Sequence, residues 1–409
     1  MKRFWLYLEP QTFIFRGDGQ IVFYNSINGA YHQYLYSNHS LLEYIVDELE
    51  KTQNGYGIFL DESELSLVQT IVDDLRNSMS GDCIPLNNNF VPPFIFKPHC
   101  RIIEERMKVL SYNDDVLSES FGLETLTNLN EVTIFLGAGI REDEHFEEFP
   151  YYRQFIHSMD VYFEETMSNL DYIRTIEVLC SLGIGKLNVV LNKDSRNQLR
   201  EILPYLSKCD FKICFYLNCE DLKNPLLIEQ LADFCIVINI HIGDNVNEII
   251  DLMGKYQDID IVWNTIISSE EDIDAIEPLG NHIVVTPYYN GSNEQFFKDY
   301  VYSDINSILK YPIDRQTIFR RKTLNENFFG KLYILPNGDS FSNMNTPAIG
   351  NVRTMSLAEI VFKEMECPTA WFKLREEKKC ANCCNRYLCP SISNYELVIG
   401  KPNLCHIKP

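Results

Sequence analysis

Six of the chain's thirteen cysteines crowd into its last 43 residues: Cys367, Cys380, Cys383, Cys384, Cys389 and Cys405. Four of them read Cys380-x2-Cys383-x5-Cys389-x15-Cys405. Four thiolates are the donor set of a [4Fe–4S] cluster or of a zinc ion. Structural zinc sites pair their ligands at short spacing on both sides, which an x5 gap and a lone distal cysteine match poorly. A cubane offers a separate iron to each ligand and tolerates uneven spacing. The residues therefore favour one [4Fe–4S] cluster over zinc. Cys384 leaves the register open, because it could replace Cys383, and Cys367 is a spare thiol.

The other seven, Cys83, Cys100, Cys180, Cys209, Cys214, Cys219 and Cys235, are scattered through apolar or strand-like sequence and read as small buried side chains. An odd cysteine count without an export signal makes a disulfide framework improbable. The opening MKRFWLYLEPQTF holds only a five-residue apolar stretch, too short for a signal-peptide core, so a cytoplasmic location is expected. No uncharged apolar run approaches the ~18–20 residues of a membrane helix. The net charge of −22 repels phosphate backbones, so nucleic acid is not an expected partner, and without an apolar run of that length neither is a membrane. The charge is uneven: residues 361–409 carry eight Lys/Arg against five Asp/Glu. Positive charge around a thiolate cluster lowers the cost of its negative charge.

The elements that must position these groups fall into three stretches. At 409 residues, with 45% hydrophobic and 23% charged residues, the chain is a folded protein of about two to four domains. Residues 1 to about 110 read as a small α+β unit. TFIFRGDGQIVFYNSI is two strands around a Gly-Asp-Gly turn, a third strand runs from Ala30 to Tyr36, and Ser40-x-x-Glu43 opens a helix. DESELSLVQTIVDDLRNSM places Leu65, Val68, Val72 and Leu75 at helical spacing. Three strands followed by helices is a winged-helix outline whose acidity argues against DNA. The proline-rich 85–98 segment reads as a connection.

Six apolar runs follow, at 132–137, 187–192, 212–218, 235–242, 260–267 and 282–290, with helical sequence between them. These are βαβ units of a parallel sheet, compatible with a six-stranded partial barrel or an open doubly wound sheet. The long first interval should carry an insertion. KLYILPNGDSFS then reads as a hairpin around Asn337-Gly338. Weaker site candidates are Gly137-Ala138-Gly139, His241 and Tyr288 at strand ends, and the carboxylates Glu142, Asp143, Glu144, Glu147 and Glu148, which read as a solvated loop.

In this order, an α+β head, six βα units, an NGD hairpin and C-x2-C-x5-C with a distal cysteine, the chain resembles peptide-modifying radical SAM enzymes with a C-terminal SPASM domain. The departures are specific. Radical SAM enzymes hold their catalytic cluster with C-x3-C-x2-C after the first barrel strand. Here that loop reads LGAGIREDEHFEEFPYYRQF, and the motif occurs nowhere in the chain. The Gly-Gly-Glu-Pro segment that contacts the SAM methionine is missing too; the second strand ends in LNKDS. Of the two auxiliary clusters of a SPASM domain, the first has lost its ligands: its positions fall on Asn343 and Ser393, and no cysteine lies between 320 and 336. The ligands of the second correspond to Cys380, Cys383, Cys389 and Cys405.

The chain thus resembles the pseudo-radical-SAM proteins found beside the RiPP, or peptide natural-product, systems of Bacteroidales. The resemblance implies an α/β fold in three parts. Residues 1–110 would be a RiPP-recognition-element-like winged helix, 111–322 a degenerate (β/α)6 partial TIM-like barrel, and 323–409 a SPASM-like domain with one [4Fe–4S] cluster. It implies no SAM cleavage and no enzyme, but an accessory protein binding a precursor leader peptide, a true radical SAM maturase, or both. The leader would add as a strand beside Tyr31, Gln33 and Leu35 and the helix residues Leu65, Val68, Ile71 and Leu75. The alternatives are an electron-transfer partner feeding the maturase through that cluster, and an unrecognised non-radical enzyme on the barrel.

Overall fold

The computed structural model describes residues 2–36, 40–51, 57–87, 91, 101–110, 126–137, 165–191, 195–240, 245–401 and 403–407. Glu142, Asp143, Glu144, Glu147, Glu148, His241, Ala138, Gly139, Cys100 and most of the 85–98 connection lie outside the described residues.

The head contains six strands in two antiparallel sheets, where the sequence suggested three. β1 (Arg3–Leu8) lies between β5 (Gly57–Asp61) and β6 (Gly81–Pro85). β2 (Thr12–Gly17), β3 (Gln20–Asn25) and β4 (Tyr31–Leu35) form the second sheet in that order. A winged-helix outline has one sheet, so the head departs from it. Leu6, Leu8, Ile21 and Phe23 from the two sheets meet Ile45, Val46, Leu49, Val72 and Leu75 from the helices in one core. The expected single helix over 61–79 is two, Glu62–Leu67 and Gln69–Asn77, separated at Val68, whose φ of −114° and ψ of 15° leave the helical region.

All six expected strands of the middle stretch are present: β7 (Glu131–Phe135), β8 (Lys186–Val190), β9 (Lys212–Asn218), β10 (Cys235–Ile240), β11 (Ile261–Ile267) and β12 (Ile283–Pro287). They are parallel, in sequential order, and β13 (Lys331–Ile334) joins beside β7, followed by β14 (Asp339–Phe341) and β15 (Gly350–Asn351). The result is a mixed α/β chain with a nine-stranded, mostly parallel sheet. The order β7 to β12 never reverses, so it contains no topological switch point of the doubly wound kind. One face is apolar: Val132, Leu187, Phe215, Ile236 and Trp263 pack with helix residues such as Ile176, Leu199 and Ile228. The other face is mixed: Thr133, Asn188, Asn239 and Asn264 are buried there beside a small apolar cluster of Cys214, Cys235 and Val237. Asn264 Nδ2 donates to Asn239 Oδ1 (2.9 Å), and Thr286 donates to Asn264 Oδ1 (3.2 Å).

β13 and β14 form the expected hairpin; Gly338 sits at its turn with φ +91°, a conformation glycine adopts without a Cβ penalty. The helices over Asn169–Leu182 and Arg196–Leu206 pack side by side on the apolar face. They bring Cys180 and Cys209 to a Cα separation of 5.4 Å, joined as a disulfide. This corrects the reading of those two as isolated thiols; the packing that pairs them, across 29 residues, leaves no mark in their spacing.

Candidate metal centre

The cysteine segment is folded by a succession of tight turns. Cys380 belongs to the short helix Lys378–Ala381. The Cys383 N–H donates to Cys380 O (3.1 Å), Arg386 N–H to Cys383 O (3.1 Å) and Cys389 N–H to Asn385 O (2.9 Å). Cys405 arrives from the far end of the chain. It is held by an isolated bridge to Ser303, with Ser303 N–H donating to Leu404 O (3.1 Å) and His406 N–H donating to Ser303 O (2.9 Å).

These turns set Cys380, Cys383, Cys389 and Cys405 around one cavity of about 280 Å³. Cys384 does not line it. Its side chain is buried against Phe15, Val22 and Tyr24 of the head and faces Gln20 Oε1 at 3.4 Å. Cys367 is exposed at the end of the helix Leu357–Glu366. Of the two cysteines that the sequence left as alternatives, Cys383 lines the cavity and Cys384 packs against the head. Among the described residues, no three His, Cys, Asp or Glu side chains converge tightly enough for a single metal ion.

The wall of the cavity is cationic. Arg375, Lys379 and Arg386 line it, with Glu396 the acidic member. Arg375 forms a fork on Glu396 (Nη1–Oε1 2.6 Å, Nη2–Oε2 3.1 Å), donates Nε to Pro390 O (2.6 Å), and sits 3.9 Å from Cys380 Sγ. Burial pushes the Cys389 thiol up to about 12, and the Arg375 charge opposes the shift. Burial raises Cys380 likewise. Cys383 is drawn down, first by the hydrogen bond from Cys384, with Arg375 and Arg386 adding to it. The donor set, the enclosed volume and the positive wall fit a thiolate-bound cluster of negative charge.

The positions that lack cysteines are structurally occupied. Asn343 is buried and donates Nδ2 to Asn394 Oδ1. Ser393 caps the helix Asn394–Ile399 in a reciprocal box with Glu396. Asn343 is thus tied to Asn394, the residue that follows Ser393.

The other predicted residues lie in the head. β4 pairs with β3 alone among the described residues, so its far edge is open. The Tyr36 N–H donates inward to Gly19 O, and antiparallel alternation then points the N–H groups of Tyr31, Gln33 and Leu35 outward. Leu35 is 80% exposed. Tyr31 is tied to the cysteine segment, its hydroxyl 3.0 Å from Asn385 Oδ1. Val68 and Leu75 are buried in the head core, and Leu65 and Ile71 pack partly against it. The structure brings Tyr31, Gln33 and Leu35 together on one edge and uses Val68 and Leu75 as core. Tyr288, at the end of β12, is distant in sequence and element from both sites and donates its N–H to Ile267 O (2.7 Å).

Sequence reasoning missed Arg375, Glu396 and Arg386. The basic surplus of the tail was the available signal, but only folding selects Arg375 and Arg386 from its eight cations and Glu396 from its five acids. It also missed the head–tail seam. The Asp18 N–H donates to Asn382 O (3.0 Å), the Ile313 N–H donates to the Tyr24 hydroxyl (2.6 Å), and Lys322 stands over Phe13, Phe15 and Tyr387.

No family model matches the chain, and no curated protein does. Among solved structures, one match is the crystal structure of an enolase from environmental genome shotgun sequencing of the Sargasso Sea. It is 11% identical, covers 82% of this chain and 90% of that one, and has a TM-score of 0.23. That neighbour is an enzyme, so the expectation that the chain is not an enzyme is withdrawn. A likeness of this size carries no activity to the chain. No helix among the described residues is long and apolar enough to cross a membrane.

Proposed function

We propose that this chain is an iron–sulfur accessory protein of peptide maturation, binding a precursor leader peptide and a radical SAM maturase. In this reading the sequential parallel strands are a partial (β/α)6 barrel, and residues 323–409 are a SPASM-like domain. The carrying observation is the ring of Cys380, Cys383, Cys389 and Cys405 around one cationic cavity while Cys384 faces elsewhere. Those four residues would hold one [4Fe–4S] cluster, which supplies a fixed anionic, redox-capable centre when bound. The open edge of β4 supports strand addition by a peptide, and the Tyr31–Asn385 contact would lay that peptide beside the cysteine segment.

The deciding experiment measures iron, zinc and sulfide per chain after anaerobic purification. About four iron with matching sulfide is the expected result. About one zinc without iron overturns the cluster. Binding is tested separately, with the leader of the precursor peptide encoded beside the gene, against the protein and its Gln33→Pro variant. Binding that survives Gln33→Pro undiminished removes the β4 edge from the proposal.

A further inference from the structure

The mixed face of the parallel sheet carries a second cavity, of about 510 Å³, within the ~300–1,000 Å³ range of small-molecule sites. Its charged lining residues stand at the amino ends of the strands, opposite the end where ligands of such sheets ordinarily bind. Lys186, Lys212 and Lys331, the first residues of β8, β9 and β13, stand on its rim. Glu131 lies between two of them, 3.7 Å from Lys186 and 3.7 Å from Lys331. The surplus is positive in a chain of net charge −22.

One step inside, the wall carries two thiols. Cys214 and Cys235 are directly paired in the register of β9 and β10, and both are buried, at 1% and 8% exposure. Neighbouring strands run ~4.7–4.9 Å apart, and disulfides span Cα separations of about 4.4–6.8 Å, so the pair can be bridged where it stands. The Cys235 thiol donates to Cys214 and draws it toward the thiolate; burial opposes this, Lys186 and Lys212 add to it, and Asp260 opposes it. Cys235 is held protonated by the same contact.

We propose that Cys214 and Cys235 are a reversible dithiol couple that reduces a small anionic disulfide admitted through the lysine rim. The Cys214 sulfur attacks one sulfur of the reagent, the reagent's S–S bond breaks, and the first half leaves as a thiolate that takes the Cys235 proton. Cys235 then attacks the mixed disulfide at Cys214 and expels the second half as a thiolate, which takes back from solvent the proton that Cys214 released on forming its thiolate. Two protein thiols are oxidised to one disulfide, and the reagent is reduced to two thiols.

The test exposes the full anaerobic protein to oxidised glutathione, an anionic disulfide, and to cystamine, a cationic one. Each rate is normalised to that of a free-thiol peptide. Remaining thiols are alkylated and the cysteine peptides mapped by mass spectrometry. Accumulation of a Cys214–Cys235 linked peptide is expected, at least ~10-fold faster with oxidised glutathione, the lower end of electrostatic rate enhancement. Cys235→Ser should stop at a mixed disulfide on Cys214. Lys186→Gln with Lys212→Gln should bring the two reagents to equal rates. Cys214 and Cys235 remaining fully alkylatable after oxidised glutathione overturns the proposal, and so does cystamine reacting equally fast. The mapping on the unaltered chain decides the first point whether or not the variants fold.

Discussion

Replacing Arg375 with Met tests how the cysteine segment is held. Arg375 and Glu396 are 13% and 3% exposed, and the guanidinium grips both carboxylate oxygens. Removing one member of a buried pair leaves an uncompensated charge, at about 3–5 kcal/mol. Met approaches the length of the side chain but returns nothing to Glu396 or to Pro390 O. Taking about 4 kcal/mol for the loss, and 1.4 kcal/mol per tenfold, local opening should become roughly a thousandfold more frequent. Native-state amide hydrogen exchange over 375–400 reads this directly and does not assume that three stretches unfold as one. The cause is isolated by a second change. Glu396→Gln added to Arg375→Met removes the orphaned charge and keeps a side chain able to cap Ser393, so the double variant should be more stable than Arg375→Met alone. Opening that rises less than tenfold in Arg375→Met refutes the reasoning. A double variant no better than the single shows that shape, not charge, sets the cost.

Four further outcomes follow from the same geometry. Gly17→Ala would place a Cβ 2.5 Å from Cys384 N and 2.7 Å from Asn382 O, both backbone atoms. The overpacking should cost about 1–3 kcal/mol and raise exchange on both sides of the head–tail seam, and an effect confined to the head contradicts it. Cys389 has a thiol raised from 9.0 to about 12. Burial favours the neutral form, so in cluster-free protein its contribution is complete below about pH 9 and fades as pH climbs toward 12. Protection over 378–400, taken as the base-catalysed intrinsic rate divided by the observed exchange rate, should fall across that window, and unchanged protection argues against it. Ser393→Ala removes a reciprocal N-cap and should cost roughly 0.5–2 kcal/mol in the helix Asn394–Ile399, measured by the same exchange experiment. Cys380→Ser should lose iron, whereas Cys384→Ser should keep it, because Cys384 packs into the head; iron analysis of the two variants distinguishes them.

What the sequence made legible was what local patterning encodes. The six runs such as KICFYLN and CIVINIHI are β-branched and apolar, and each became a strand within a few residues of its expected bounds. Asn337-Gly338 specified its hairpin through glycine's access to positive φ. The missed head sheet has a different origin. FWLYL, GIFLD and GDCIP are short, and β1 pairs with partners about 50 and 75 residues away, so only tertiary contact makes them a sheet.

The cavities were illegible for a related reason. Asn188, Asn239 and Asn264 interrupt runs that read as continuous apolar strand, and each alone passes for a tolerated polar residue. The sheet sets them on one face, with Asn239 beside Asn264 and Asn188 beside Thr133 and Cys214, and that face carries the second cavity. The same register sets Cys214 beside Cys235, two thiols twenty-one residues apart that counted singly as small buried side chains. Spacing along the chain identified the metal-centre cysteines because their turns are local. It could not identify a pair whose proximity is made by the sheet, and the exchange chemistry of Cys214 and Cys235 therefore tests the register of β9 and β10 as directly as it tests the function of the cavity.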